Sequence, residues 1–519
     1  MRVKFVSARE AVDLIPDGAI VGTGGFVGMG IPEELEVELE NRYNETQRPK
    51  SITLYYAAAQ GDGKDRAVNH LSPEGLLKRV VGGHWNLAPK LQKLVLENKM
   101  EAYNFPQGIL SHMFRDAASR KKATISKVGL KTFVDPDIEG GKLNEITKED
   151  LVKKVTIEGE EYMYYYTPKL DFVILRGTFA DELGNVSLEE EMATLDATNM
   201  AIACKNNGGT VIVQVKDIVN ANSLDPRYVV LPNSLVDYVV KTSDPFKYHE
   251  QVFGEYFDPS YCGNTKKLLS TMEPPKLDNR KVIGRRGALE MKADSIINLG
   301  IGIPEVVGAV ANEEGEGDKI TLSVEAGITG GVPLGGGKFG GAVNPYGIVD
   351  QDTQFDFYDG GGLDVTFLGL AQCDEKGNIN VSRFGPRIAG CGGFINISQN
   401  TKKVIFCGTF TAGGLKEEVK DGKLTILQEG KEKKFIKKVE QITFSADYAN
   451  ETGQDVTYIT ERCVLKLAKD GLMITEIAPG VDMEKDILAH MDFKPLIAKD
   501  LKLMDERIFK EELMGLKLV

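Results

Sequence analysis

One glutamate at the end of a predicted strand is the strongest candidate for chemistry in this sequence. Residues 320–324 read as a short strand, and Glu325 follows directly, ahead of a run rich in glycine. Ligands of open α/β sheets bind at the carboxyl ends of the strands. A carboxylate there can act as a nucleophile or as a general acid or base. A lone strand-end glutamate more often only reaches solvent, so position alone does not assign a function.

An internal repeat sharpens the interest in this glutamate. The tripeptide Ile-Thr-Leu at residues 52–54 recurs at residues 320–322, and this match aligns Ala57 with Glu325. Two further segments, 170–171 and 181–186, recur at a constant spacing as residues 363–364 and 374–379. One copy therefore carries a carboxylate where the other carries a methyl group. This asymmetry favours one catalytic site per chain.

The elements that must position this site alternate between helical and strand-like patterns. Helical patterns cover residues 8–14 and 286–293, and apolar runs such as 172–175 and 211–213 have the length of buried strands. Fully apolar strands are typical of parallel sheets that are covered on both faces. The sequence predicts an α/β protein of two homologous open α/β domains with mostly parallel sheets.

Prolines and a loss of regular periodicity suggest where these domains begin and end. We predict a first domain at residues 1–250, a linker at residues 251–280 and a second domain at residues 281–519, since the linker region contains Pro259, Pro274 and Pro275 and little periodicity. An antiparallel hairpin is predicted inside the first domain, at residues 155–157 and 162–166 around a turn near Gly159.

Composition excludes several classes of protein. The net charge of −13 argues against a nucleic-acid-binding protein, and no apolar run is long enough to span a membrane. The six cysteines are scattered, and the N-terminus lacks an apolar signal segment, so we expect reduced thiols and a cytoplasmic location. No P-loop motif is present, and the five histidines lack metal-ligand spacing, so no metal is expected.

Several motifs together resemble family I coenzyme A transferases, most closely the propionate (short-chain acyl) CoA-transferases that carry both halves on one chain. The resemblance covers essentially the whole chain. In the first half it rests on Gly24-Gly25-Phe26 followed by Gly30 and Pro32, and on residues 103–108; in the second half it rests on Glu325-Ala326-Gly327 and on residues 355–364 and 383–394.

The resemblance implies a chemical role for Glu325. Its carboxylate would attack the thioester carbonyl of an acyl-CoA, and CoA would then be held as a glutamyl thioester in a ping-pong reaction. The side-chain amide of Gln107 and a backbone N–H of Gly392 or Gly393 would stabilise the oxyanion. Coenzyme A and acyl-CoA would be substrates, with no tightly bound cofactor, and the chain would form a homo-oligomer, a tetramer in this family.

The resemblance also maps two binding segments. The loop that contacts CoA corresponds to Gly300, Ile301, Gly302, Ile303 and Pro304. The pocket for the acid corresponds to Gly24, Gly25 and Phe26.

The acid itself is left with alternatives. The resemblance favours short-chain acids such as acetate, propionate, butyrate or lactate. Two small residues within residues 26–29 would leave room for a larger or aromatic acid. An acyl-CoA hydrolase would use the same site, with water as the acceptor. A metabolite sensor or a sugar-phosphate isomerase on a related fold is a further alternative, although a sensor would not need Glu325.

Overall fold

A computed structural model describes residues 3–268 and 274–519 and divides them into two compact units. The first unit contains the described residues up to Lys267, together with the later segments 324–356 and 384–396. The second contains the remaining described residues of segments 268–323, 357–383 and 397–519. The predicted domain boundaries follow the sequence repeat and stay a prediction, because the compact units divide the chain differently.

The first unit is built on a parallel sheet of eight strands in line. Their order across the sheet is Lys4–Phe5, Tyr238–Lys241, Thr210–Val219, Phe172–Asp181, Ile20–Thr23, Ile52–Tyr56, Leu77–Gly82 and Glu101–Asn104. The short strands Val186–Ser187 and Val229–Leu231 add an antiparallel extension. The helices of this unit are Ala8–Val12, Glu33–Thr46, Pro89–Leu96, Gln107–Ala118, Ala197–Asn206 and Pro245–Tyr248. Strand side chains such as Val21, Leu54 and Ile174 form its core.

The second unit is also built on a sheet with a parallel centre, but the strands at the edges of its sheet are different. Its parallel strands, in order, are Thr321–Val324, Ile296–Leu299, Val365–Gly369, Lys403–Cys407 and Asp455–Ile459. The sheet then continues through Cys463–Ala468, Gly471–Ile477 and Leu496–Leu503. Its helices are Asn279–Ala288, Ile303–Glu313 and Ala446–Thr452, while the helices Gln351–Asp359 and Phe394–Asn400 begin in the first unit. The α/β class with mostly parallel sheets is thus confirmed.

The repeat is visible in individual hydrogen bonds. The Asp171 carboxylate accepts the Ile20 N–H at 2.9 Å in the first unit, and the Asp364 carboxylate accepts the Ile296 N–H at 3.0 Å in the second. Each bond ties the start of the central strand to the residue that precedes the neighbouring strand. The same structural device therefore occurs in both copies.

A second pair of turns matches in the same way. The Asn185 N–H donates to the Asp181 carboxylate at 2.9 Å, and the Asn378 N–H donates to the Asp374 carboxylate at 3.0 Å. These residues are the Asp and Asn of the repeated segment noted in the sequence. The repeated residues are thus turn residues, and they preserve the fold of each copy rather than its chemistry.

Two local predictions have different outcomes. The predicted hairpin is confirmed as the antiparallel strands Val152–Ile157 and Glu160–Tyr166. The helix predicted at residues 286–293 is wrong in position, since the helix runs over Asn279–Ala288. The Asp278 side chain caps it by accepting the Lys281 N–H at 2.9 Å, and this cap sets the start that the apolar pattern did not mark.

Candidate active site

Glu325 opens a tight turn directly after the strand Thr321–Val324. The Gly327 N–H donates to the Val324 carbonyl at 3.1 Å, and the Val349 N–H donates to the Gly327 carbonyl at 2.9 Å. Gly327 has φ +107°, and a Cβ there would lie 2.0 Å from the Val349 carbonyl oxygen. Only glycine fits this position, which explains the spacing of the Glu-x-Gly motif. Glu325 itself is 9% exposed.

Gln107 is the first residue of the helix Gln107–Ala118 and is 2% exposed. Its backbone N–H donates to the Gly392 carbonyl at 2.9 Å. Its side-chain Nε2 donates to Gln351 Oε1 at 3.0 Å. Gln107 is therefore fixed at its backbone by Gly392 and at its side chain by Gln351.

The segment 349–351 links the glutamate turn to this amide. Val349 pairs with Gly327 of the glutamate turn, and Gln351, two residues later, holds the Gln107 side chain. Gln107 comes from the first half of the sequence and Glu325 from the second, yet both belong to the first compact unit. The fold thus joins the two residues that the sequence singles out.

The two candidate glycines differ in the state of their N–H groups. The Gly392 N–H donates to the Gly83 carbonyl at 2.8 Å. That N–H is already engaged, which favours Gly393 of the two candidates, and the role of Gly392 as an oxyanion donor stays a prediction. Within residues 3–268 and 274–519, the Gly393 N–H has no hydrogen-bond partner, and its role stays a prediction. A Cβ at Gly392 would lie 3.8 Å from Gln107 Oε1, so this turn lies beside the amide.

A buried polar network supports the Gln107 amide. Gln351 Nε2 donates to Ser111 Oγ at 2.7 Å and to Asp196 Oδ2 at 2.8 Å, while Ser111 Oγ donates to Asp196 Oδ1 at 2.7 Å. Burial raises the pKa of Asp196 to about 7, and the Asp352 and Asp350 carboxylates act in the same direction. Sequence reasoning missed this network, since none of its members lies in a motif that marks it.

The predicted acid pocket lies against the residues that flank Glu325. Phe26 and Met29 share a buried apolar cluster with Val324 and Ala326, the two neighbours of the glutamate in sequence. The Phe26 N–H donates to the Met29 carbonyl at 2.9 Å, so residues 26–29 form a closed turn. Phe26, a residue of the predicted acid pocket, therefore packs beside the turn that Glu325 opens.

Side chains of the protein pack against the glycines in and around this turn. A Cβ at Gly28 would lie 2.9 Å from the ring of Phe253, and a Cβ at Gly340 would lie 2.6 Å from the ring of Phe26. Gly25 is equally enclosed, since its Cβ would lie 2.2 Å from Ile31 Cδ1. The space beside Gly28 is thus filled by Phe253, and room for a larger acid at residues 26–29 stays a prediction.

The predicted CoA loop belongs to the second unit. The Gly300 N–H donates to the Phe367 carbonyl at 2.8 Å, and Gly302, with φ +88°, has open space where a Cβ would stand. Ile301 is 55% exposed, and the helix Ile303–Glu313 begins directly afterwards. A glycine loop between a strand and a helix N-terminus is suited to anionic ligands. Its contact with CoA stays a prediction.

Comparison with known proteins settles the family. A family model described as Coenzyme A transferase matches residues 5–242. The caffeate CoA-transferase of Acetobacterium woodii is 45% identical over 518 residues, which cover 99% of this chain and 98% of that protein. The chain belongs to the coenzyme A transferase family.

Two further transferases agree. The acetate CoA-transferase YdiF of Escherichia coli (strain K12) is 45% identical over 517 residues, which cover 99% of this chain and 96% of that protein. The acyl-CoA transferase YdiF of Escherichia coli O157:H7, solved as a thioester complex with CoA, superposes with a TM-score of 0.93 at 44% identity and covers 100% of this chain and 98% of that one. The protein is a family I CoA-transferase with both halves on one chain, and its substrates are acyl-CoA and carboxylic acids.

In the described part of the transferase, no group of three or more His, Cys, Asp or Glu side chains could hold a metal ion. No helix among those residues has the length and apolarity needed to cross a bilayer. The six cysteines are free thiols.

Proposed function

We propose that this transferase works by a ping-pong reaction in which Glu325 carries CoA as a glutamyl thioester. The observation that supports it best is the segment 349–351, which pairs with the Glu325–Gly327 turn at one end and holds the Gln107 amide at the other. A nucleophile and an oxyanion donor are thereby fixed by one short stretch of chain.

The first half-reaction loads CoA onto the enzyme. The Glu325 carboxylate attacks the thioester carbonyl of the donor acyl-CoA, the C–S bond breaks, and an acyl-glutamyl anhydride and a CoA thiolate result. The thiolate then attacks the glutamyl carbonyl of the anhydride, which forms the glutamyl-CoA thioester and releases the donor as a carboxylate. One thioester replaces another, so no ATP is consumed.

The second half-reaction reverses these steps with a new acid. The acceptor carboxylate attacks the glutamyl thioester, and an anhydride and a CoA thiolate form again. The thiolate attacks the acyl carbonyl, and acyl-CoA leaves with the Glu325 carboxylate restored. Atoms and charge balance without any further reactant.

Each of these attacks passes through a tetrahedral oxyanion, and Gln107 and Gly393 are proposed to stabilise it. Gln107 Nε2 carries two hydrogens, of which Gln351 accepts one. The other is available, as is the N–H of Gly393. Loss of a single donor of this kind typically costs about 10²–10³ in rate. The loop from Gly300 to Pro304 is proposed to contact CoA.

Short-chain acids are proposed as the acceptors. The Phe253 ring lies against Gly28, and Gly340 is packed against Phe26, so the walls beside the glutamate turn are closed. The likeness to an acetate CoA-transferase agrees with a short acid. A cytoplasmic location, a homotetramer and the absence of a tightly bound cofactor are proposed on the family resemblance.

A larger or aromatic acid is the second candidate. The observation in its favour is the caffeate CoA-transferase, which is as similar to this chain as the acetate enzyme, at 45% identity. The closed walls around Phe26 argue against it.

Replacement of the glutamate tests the proposed nucleophile. We expect Glu325→Gln to reduce transfer from acetyl-CoA to propionate to the background rate, because an amide cannot form the anhydride. Glu145→Gln, at an exposed position, is the matched control and should transfer at the wild-type rate. Both rates follow from the appearance of propionyl-CoA. Release of free CoA without an acceptor would indicate hydrolysis, and full activity of Glu325→Gln would exclude Glu325 as the nucleophile.

A further inference from the structure

The first unit contains a cavity that the transfer mechanism does not use. Its volume is about 680 Å³, within the range of sites for small molecules. It lies by the C-terminal ends of the helices Gln107–Ala118 and Ala197–Asn206 and by the strand Glu160–Tyr166. The side chains that matter here are Arg120, Lys121, Lys122, Tyr164, Tyr166 and Lys169.

The charge on this cavity has one sign. Four cationic side chains line it, and no acidic side chain does. Lys121 pairs with Asp116 at 2.7 Å, and Arg120 donates to the Asn206 carbonyl at 3.1 Å. Lys122 and Lys169 have no acidic partner among the residues that the structure describes.

The C-terminal ends of the two helices offset part of the positive charge that lines this cavity. A helix C-terminus carries roughly half a negative charge. The two helices that end here therefore offset about one cation, a share that Arg120 supplies by its bond to Asn206. Asp116 offsets Lys121. Lys122 and Lys169 are left as surplus positive charge, in a chain whose net charge is −13.

One wall of the cavity is aromatic. The rings of Tyr164 and Tyr166 lie 5.1 Å apart at 73°, and the Lys153 ammonium lies 4.8 Å from the centre of the Tyr164 ring. Neither tyrosine hydroxyl has a hydrogen-bond partner within residues 3–268 and 274–519. An aromatic wall beside surplus cations suits a ligand with a planar ring and phosphate groups.

We propose that this cavity binds a nucleotide, with its phosphates on Lys122 and Lys169 and its base against Tyr164 and Tyr166. The ligand chemistry has two possible sources, a free nucleotide or the nucleotide end of a CoA molecule. The cavity lies at the opposite end of the helix that begins with Gln107, about 18 Å away for a helix of this length. The proposal is independent of the role of Glu325.

Calorimetric titration with ADP tests the site directly. We expect one ADP per chain to bind to the wild-type enzyme, with an affinity that falls as salt is added. The double variant Lys122→Gln/Lys169→Gln should bind ADP at least about tenfold more weakly. Neither side chain has an acidic partner among the residues that the structure describes, so the fold should be retained. The matched control is Lys78→Gln/Lys148→Gln, which removes two exposed lysines elsewhere and should bind like wild type.

Titration with CoA separates the two sources. Two CoA molecules per wild-type chain and one per Lys122→Gln/Lys169→Gln chain would assign the site to the nucleotide end of CoA. One CoA per chain, with ADP still bound, would assign it to a free nucleotide. The proposal is overturned if ADP does not bind to wild type, or if the double variant binds it as tightly as the control does.

Discussion

In the proposed mechanism Glu325 is the nucleophile, and the turn that it opens is fixed by the hydrogen bonds of Gly327 to Val324 and Val349. A carboxylate is a weak nucleophile, so its rate depends on donors that stabilise the oxyanion. In the proposed mechanism Gln107 and Gly393 are these donors. The Gln107 side chain is held by Gln351. Gly392, the residue before Gly393, is hydrogen-bonded to Gly83 and to the Gln107 backbone. Preorganised donors of this kind need no rearrangement at the moment of reaction.

Individual functional residues could be predicted from the sequence only where they lie in a recognisable motif. Glu325 and Gln107 lie in motifs and were predicted from them. Gly392 could not be told from Gly393, because the difference is a backbone hydrogen bond to Gly83. Gln351 and Asp196 were missed, since a side chain that acts through another amide leaves no local pattern.

The buried carboxyl of Asp196 makes stability depend on pH. Its pKa is raised from 3.8 to about 7, mainly by burial, so the folded enzyme keeps this proton while the unfolded chain loses it. Its stabilising contribution is complete below about pH 4 and is lost as pH rises through about 7, a change of at most roughly 4 kcal/mol.

Asp196→Asn tests this effect because an amide does not titrate. We expect its melting temperature to rise relative to wild type as pH is raised from 5 to 8. The measurement is thermal unfolding at several pH values, with Asp500→Asn at an exposed position as control. A difference between Asp196→Asn and wild type that is constant across this range would contradict the shift.

At the scale of elements, the turn after Thr321–Val324 depends on Gly327. We expect Gly327→Ala to lower stability by at least about 2 kcal/mol and to abolish transfer, because its Cβ would clash with the Val349 carbonyl at 2.0 Å. Gly159→Ala is the matched control, since Gly159 has φ +88° with open space around it. That control should cost only about 1 kcal/mol. Melting temperature and transfer rate are measured, and equal effects of the two changes would refute the clash.

The Phe253 ring lies against Gly28, beside the proposed acid pocket. Phe253→Ala should raise kcat/KM for benzoate relative to acetate by at least about tenfold, because it opens the space beside Gly28. Phe246→Ala, a change at a ring that is 69% exposed, is the control and should leave the ratio unchanged. An unchanged ratio for Phe253→Ala would place the acid pocket elsewhere.

Helices and strands could be predicted from the sequence where the burial of their side chains requires a regular apolar pattern. The apolar runs at residues 172–175 and 211–213 were recognised, and they lie in the parallel strands Phe172–Asp181 and Thr210–Val219. The hairpin that ends at Tyr166 was recognised too. The helix Asn279–Ala288 was misplaced because its side chains give little apolar periodicity and its start depends on the Asp278 cap. A single capping residue is a weaker signal for predicting an element from sequence than a run of apolar residues.

The whole molecule repeats one fold, and in the proposed mechanism only the second copy supplies the nucleophile. The central strands of both units have the same order. In each unit an aspartate, Asp171 or Asp364, accepts a hydrogen bond from the first residue of the central strand. The sequence revealed this repeat, but it did not reveal that segments 324–356 and 384–396 belong to the first compact unit. That assignment depends on packing between residues far apart in the chain, such as Val324 with Phe26.

The most direct test of the account is covalent trapping of the intermediate. Wild-type enzyme is incubated with acetyl-CoA and then treated with borohydride or hydroxylamine, and its peptides are analysed by mass spectrometry. Because the aligned position of the other copy is Ala57, we predict one modified residue per chain, Glu325, and none in Glu325→Gln. An active enzyme whose Glu325 peptide stays unmodified, or a modification that persists in Glu325→Gln, would contradict the mechanism.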